Sequence, residues 1–294
     1  MKKIDAHNHP FFAGHDCEKT LENMDMYGID KCLLLSCETP ISETVISKND
    51  FKEDDEKRVF CSFSGCIEYY KKSPDRFFLG YAPDSRKPGA LEKFKQMRRE
   101  YDIKAFGEVE FRMLYDNPDL IEIFRYCGEN ALPVFLHFDY FGAHKAPADK
   151  LRSNYWFGGD LDTLERILKA CPETNFFGHA TCFWANFSND DLWKTSAYPK
   201  GPLVRGGRVE QMLRKYPNLY CDTSAGSAFI ALNRDIDYTK YMFEEFEDRF
   251  VFGRDNFNNK ISEFIDSLGL SMETREKYYH KNIERLLGLV SSAQ

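Results

Sequence analysis

The chain has 294 residues, enough to bury a substantial core as one domain spanning 1–294, and 43% of them are hydrophobic. Acids outnumber bases 47 to 40 with the two signs interleaved, so the net charge of −7 comes without a basic stripe and nucleic acid is excluded as a partner. No apolar run is long enough to cross a bilayer, Met-Lys-Lys leads straight into a charged segment, and the nine scattered cysteines lack a Cys-x-x-Cys pair, which together predict a cytoplasmic protein with reduced core thiols and no membrane partner.

The first predicted element is a strand over 3–7, closely followed by His9. Side chains alternate along a strand, so His7 and His9 fall on one side, and Asp5 is expected to share it as a supporting hydrogen bonder. Strand-like apolar segments recur at 31–36, 77–82, 103–111, 133–138, 175–180, 219–224 and 249–255. Between them the period becomes helical. Leu91, Phe94, Met97 and Tyr101 make one apolar stripe; Leu161, Leu164, Ile167, Leu168 and Cys171 make another; Val209, Met212, Leu213 and Tyr216 make a third. Strands alternating with amphipathic helices predict a parallel sheet, here a closed (β/α)8 TIM barrel of the α/β class with an extra C-terminal helix. An open doubly wound sheet is the competitor, and no Gly-x-Gly-x-x-Gly follows the first strand to support it. Two insertions interrupt the pattern. The charged stretch 47–58 predicts a solvated loop, and the aromatic stretch 183–207, with Trp184, Trp193 and Tyr198, predicts a pocket wall.

The polar residues fall where a barrel of this kind places its chemistry, at the C-terminal ends of the strands. There stand His7 and His9, Glu108 and Glu110, His137, His179, Asp222 and Asp255. Singly, each reads as a satisfied hydrogen bonder or a helix cap. Jointly, they would crowd charge and lone pairs at one end of the barrel, and a divalent cation relieves that crowding. Imidazole and carboxylate suit zinc best, with manganese or iron also open.

The ordered set His7-Asn8-His9, His137, His179 and Asp255 resembles the metal-dependent amidohydrolase superfamily. The segments IDAHNH, FFGHATCFWA, GGRVEQMLRKYPNLYCDTSAGS, FGRDN and YYHKNIERLLGL are similar to its amidohydrolase-related branch, from the first strand to the last helix. The resemblance implies a hydrolase in which His7, His9 and Asp255 bind the metal, His137 is a further ligand, and His179 ligates a second ion or polarises the substrate. Family members differ at the fourth strand, and Gly107-Glu108 resembles the bridging glutamate of TatD-type enzymes, which favours Glu108 over Lys104 as the ligand there. A bridging Glu108 means two ions. Glu110 shares its face and is a candidate to replace it or to touch substrate.

The implied chemistry is attack of a metal-activated water on an amide, lactone or ester bond of a small molecule, with Asp255 taking the proton and passing it to the leaving group. Two alternatives stand beside it: non-oxidative decarboxylation of an aromatic or related carboxylic acid, which the same branch includes, and a barrel that binds a small molecule or metal without turnover. Arg112, Arg234, Arg254 and Trp184 are further candidates to contact substrate, and a homo-oligomer stays open.

Overall fold

The structure is a computed structural model, and it describes residues 1–43, 59–140 and 156–290. In chain order the strands are β1 (Ile4–Asn8), β2 (Lys31–Leu35), β3 (Thr39–Pro40), β4 (Val59–Phe60), β5 (Phe77–Gly80), β6 (Ile103–Val109), β7 (Val134–His137), β8 (Phe176–His179), β9 (Leu219–Asp222) and β10 (Phe250–Val251). Eight of these pair in parallel in the order β1-β2-β5-β6-β7-β8-β9-β10, while β3 and β4 form a separate antiparallel pair. The two edges of the sheet meet: the Ala6 N–H donates to the Phe252 carbonyl at 2.9 Å and the Asp255 N–H to the His7 carbonyl at 2.8 Å. The eight apolar segments thus make the expected barrel.

Two packed layers hold it. Ile4, Ala6, Leu33, Leu35, Ala105, Phe135, Phe177, Tyr220 and Val251 fill the barrel interior, and a larger cluster lies between strands and helices. The predicted stripes supply that outer layer from helices Ala90–Glu100, Leu161–Ala170 and Arg208–Lys215. The extra C-terminal helix is present over Asn282–Leu286 and has a definite task. Ile283, Leu286 and the following Leu287 join the interior cluster, and the Asn282 side chain donates to the Phe250 carbonyl at 2.9 Å, so the helix plugs the barrel floor where the strands begin. All nine cysteines are buried and unpaired. Among the described residues no helix is long and apolar enough to cross a membrane.

The structure departs from the sequence reading in three places. In β1, Asp5 pairs with Cys32 but Asn8 with Leu34, so one extra residue sits in β1. Ile4 and Ala6 face the interior, Asp5 faces the helix layer, and this bulge turns His7 back inward over the Phe135 ring, with centroids 6.0 Å apart. Strict alternation would have kept Asp5 and His7 together, and they part. Second, the aromatic stretch after β8 begins as helix Ala180–Ala185, and its Trp184 is packed against Phe183 and Phe187 rather than lining an opening. Third, the pair β3–β4 has no counterpart in the periodicity, and the charged stretch 47–58 between these strands lies outside the described residues.

Candidate metal centre

Glu108, at the end of β6, stands in the middle of the mouth. Its Oε2 lies 3.6 Å from Nε2 of His7 in β1 and 3.3 Å from Nε2 of His9 just after it. Its Oε1 lies 2.8 Å from His137 Nδ1 at the end of β7 and 3.6 Å from His179 Nε2 at the end of β8. Asp255, just beyond β10, puts Oδ1 3.3 Å from His9 Nε2 and Oδ2 3.8 Å from His179 Nε2. Five strand ends or the residues just after them, scattered over the chain, thus deliver one cluster of six side chains. Two triads share Glu108: His7-His9-Glu108 and Glu108-His137-His179, each with donor atoms within 4.8 Å of one another.

Each ring is held from behind. His7 Nδ1 bonds Asp222 Oδ2 at 2.6 Å, His9 Nδ1 the Leu35 carbonyl at 2.8 Å, and His179 Nδ1 the Ser224 hydroxyl at 2.9 Å. Occupying Nδ1 in this way leaves Nε2 to face the centre, the arrangement that orients metal-ligating imidazoles. His137 is different, with Nδ1 on Glu108 and Nε2 on Asp139 Oδ2, both at 2.8 Å. The decisive test of whether a cation suits the site is His179. Its Nε2 is buried and has no hydrogen-bond partner among the described residues, which in a buried polar group is costly unless something else satisfies it. Nitrogen and carboxylate oxygen converging on such an atom fit a divalent cation.

Electrostatics point the same way. Burial by itself would depress the His7 pKa, but the Asp222 and Glu108 carboxylates override it and push it up to about 10. Burial acts likewise on His9 and His137, and Asp255 and Glu108 for the first, Asp139 and Glu108 for the second, hold them well above the usual imidazole value. For His179 burial wins, aided by the charge on His7, and its pKa falls to about 4. Burial would raise Glu108 and Asp255, but the histidines keep both carboxyls below their ordinary range. In the metal-free protein the gathered carboxylates thus favour positive charge at His7, His9 and His137, the sign of charge that a cation would bring.

The other sequence candidates are placed as follows. Glu110 is buried beside the cluster, and burial pushes its pKa up to about 7. Lys104 sits at the far end of β6, 3.0 Å from Asp102, and takes no part. Arg112 lies over the Phe157 ring, which meets His137 edge-on at 5.5 Å. Trp184 is fully buried and donates from Nε1 to the Asp222 carbonyl at 3.1 Å, so it braces Asp222 instead of meeting a ligand. Arg254 turns from the cluster toward the helix layer, with Nε 2.8 Å from Asp5 Oδ2. Arg234 pairs with Asp190 and the carbonyls of Gly201 and Pro202. Asp139, Ser224 and the role of Asp222 are new here. Asp222 is visible in the sequence as a strand-end acid and Asp139 as the residue two beyond His137, whereas nothing marks Ser224. Tyr198, one of the aromatics assigned to a pocket wall, is 45% exposed, and burial with the charges of Asp139 and Asp255 raises its phenol, so it stands beside the mouth.

No family model and no curated protein matches the chain. Solved structures do. An uncharacterised TIM-barrel protein from Bordetella bronchiseptica is 16% identical, with a TM-score of 0.63 over 98% of this chain and 99% of that one. A dihydroxybenzoic acid decarboxylase from Polaromonas, with bound manganese and the inhibitor 2-nitroresorcinol, is 14% identical, with a TM-score of 0.62 over 98% and 97%. An amidohydrolase from Burkholderia multivorans is 12% identical, with a TM-score of 0.59 over 98% and 99%. The chain has the TIM-barrel fold of these proteins. At such identities the likeness extends to the fold, and the chemistry must be argued from the mouth of the barrel itself.

Proposed function

We propose that the chain is a metal-dependent enzyme of the amidohydrolase superfamily that hydrolyses an amide, lactone or ester bond of a small molecule. The observation that carries this reading is Glu108 set among four histidines, one of which presents a buried Nε2 with no hydrogen-bond partner among the described residues. His7, His9, Glu108, His137, His179 and Asp255 would hold one or two divalent cations, zinc by donor preference or manganese as in the Polaromonas relative. A cation bound there supplies a Lewis acid that acidifies water and polarises a carbonyl. Asp255 is suited to accept the proton: it stays ionised, and its side chain is 18% exposed where that of Glu108 is 3%, so it is the cluster carboxylate that an incoming substrate meets.

A second reading, decarboxylation of an aromatic or related carboxylic acid, is favoured by the dihydroxybenzoic acid decarboxylase among the fold relatives. Both are tested on one preparation. The chelated protein is reloaded with zinc or manganese, its metal content is measured, and it is assayed against panels of amides, lactones and esters and for carbon dioxide release from hydroxybenzoates. Metal-dependent turnover in the first panel supports the hydrolase, and turnover confined to the second replaces it with the decarboxylase. Failure to retain a divalent metal after dialysis overturns both and leaves a barrel without metal chemistry.

A further inference from the structure

A second polar feature lies beside the centre, at the loops following the seventh and eighth barrel strands. A cavity of about 280 Å³ is walled by Ala225, Gly226, Phe229, Arg254, Asn258 and Lys260, with Ile230, Asn256 and Ile261 completing it. Among the described residues two cations and no acid face it. Arg254 is 1% exposed and heavily engaged: its backbone N–H and Nε bond Asp5 at 2.9 and 2.8 Å, and Nη1 bonds Asn23 at 2.7 Å. Its Nη2 is buried with no partner among the described residues. A guanidinium nitrogen is a donor only, so what satisfies it must be an acceptor, and an anion is the strongest kind.

The backbone adds to this. The eight-residue helix Ala225–Leu232 begins at the cavity, and its N-cap residue Ser224 makes no side-chain capping bond because that hydroxyl is committed to His179. The Ala225 N–H bonds the Arg254 carbonyl at 2.9 Å, and Gly226, the next residue, lines the cavity. A helix start carries partial positive charge, and Lys260 opens the helix Lys260–Ser267 on the opposite wall, its N–H taken by Asn258 Oδ1 at 3.1 Å. Barrels of this architecture frequently bind phosphate with these two loops.

We propose that this cavity is an oxyanion site for a phosphate group, with Arg254 Nη2, the Lys260 ammonium and the start of helix Ala225–Leu232 as its donors. Its donor set contains no metal ligand, so the site stands or falls separately from the hydrolase reading. The test is calorimetric titration of inorganic phosphate into the full chain, once stripped of metal with chelator and once reloaded, alongside Lys260→Glu and Gly226→Asp. Both positions are exposed, and a Cβ at Gly226 meets nothing within 4 Å, so both variants fold, which circular dichroism checks. Expected are saturable one-to-one binding to the metal-free wild type and a roughly tenfold weakening by either substitution, the scale of a reversed or added charge at a partly solvated ion contact. Phosphate binding that requires the metal, or that neither substitution weakens, overturns the site, as does its absence.

Discussion

Glu108 is in reach of four histidines, and three of those rings have their second nitrogen tied to Asp222, Leu35 or Ser224. Replacing His7 and His9 together by Ala should abolish metal retention and turnover while leaving a folded barrel, since the interior cluster below them is untouched; elemental analysis with circular dichroism checks both halves, and stoichiometric metal in the double variant would remove these residues from the centre. Asp255 sits at φ +48°, a conformation that Asn adopts readily. Asp255→Asn should therefore keep its fold and much of its metal but lose turnover by roughly a hundredfold or more, the usual cost of a missing general base. Full metal with near-normal turnover would take Asp255 out of the mechanism.

The raised His7 pKa also fixes a pH dependence for the metal-free protein. Burial opposes the shift, Asp222 and Glu108 carry it, and the folded value of about 10 stands above the ordinary 6.5. A folded-state pKa above the unfolded one contributes stability that is fully present below pH 6.5 and is lost as the pH rises through about 10. Urea unfolding of chelated protein at pH 7 and pH 10 should show lower stability at the higher pH, and the difference should shrink in His7→Ala. An unchanged difference in that variant would assign the loss to other groups.

Between the single residue and the barrel lies the strand, and two strands are bent to serve the site. In β1 the extra residue between Asp5 and Asn8 turns His7 inward. In β6 the register shifts between Phe106 and Val109, and Gly107 between them has φ +150°. A Cβ on Gly107 would stand 2.9 Å from the Phe135 Cβ, the residue beneath His7. Gly107→Ala should thus destabilise by about 1–3 kcal/mol through overpacking and displace Glu108 from its histidines. Urea unfolding and metal content together measure this, and wild-type values for both would mean that β6 accommodates a side chain there. These irregularities could not be read beforehand: a bulge leaves the composition and apolar rhythm of a strand almost intact, and only the register with the neighbouring strand exposes it.

Over the whole molecule, one apolar cluster fills the barrel, the C-terminal helix seals its floor, and the polar cluster occupies the mouth. A cation that binds only this assembled mouth must stabilise the entire fold. At a free metal concentration about a hundred times its Kd the gain should be about 2.7 kcal/mol, seen as a rise in Tm that chelator reverses. Equal melting with and without metal would place any bound ion elsewhere.

Eight apolar segments with helical stripes between them were sufficient to specify the parallel barrel, because period-two and period-3.6 patterns are local and each segment carries its own. The strand-end positions of His7, His9, Glu108, His137, His179 and Asp255 were legible for the same reason, since a barrel brings all such ends to one mouth. Folding alone settled what surrounds them. That Asp222 backs His7, that Ser224 holds His179, that Trp184 turns into the core and that Arg254 leaves the mouth to pair with Asp5 all depend on contacts between residues 38 to 249 positions apart, for which no local pattern in the chain carries a signal. The burial that pulls the His179 pKa down to about 4, and the Asp222 and Glu108 carboxylates that overcome it at His7 and hold that ring at about 10, likewise come together only once the barrel has closed around them.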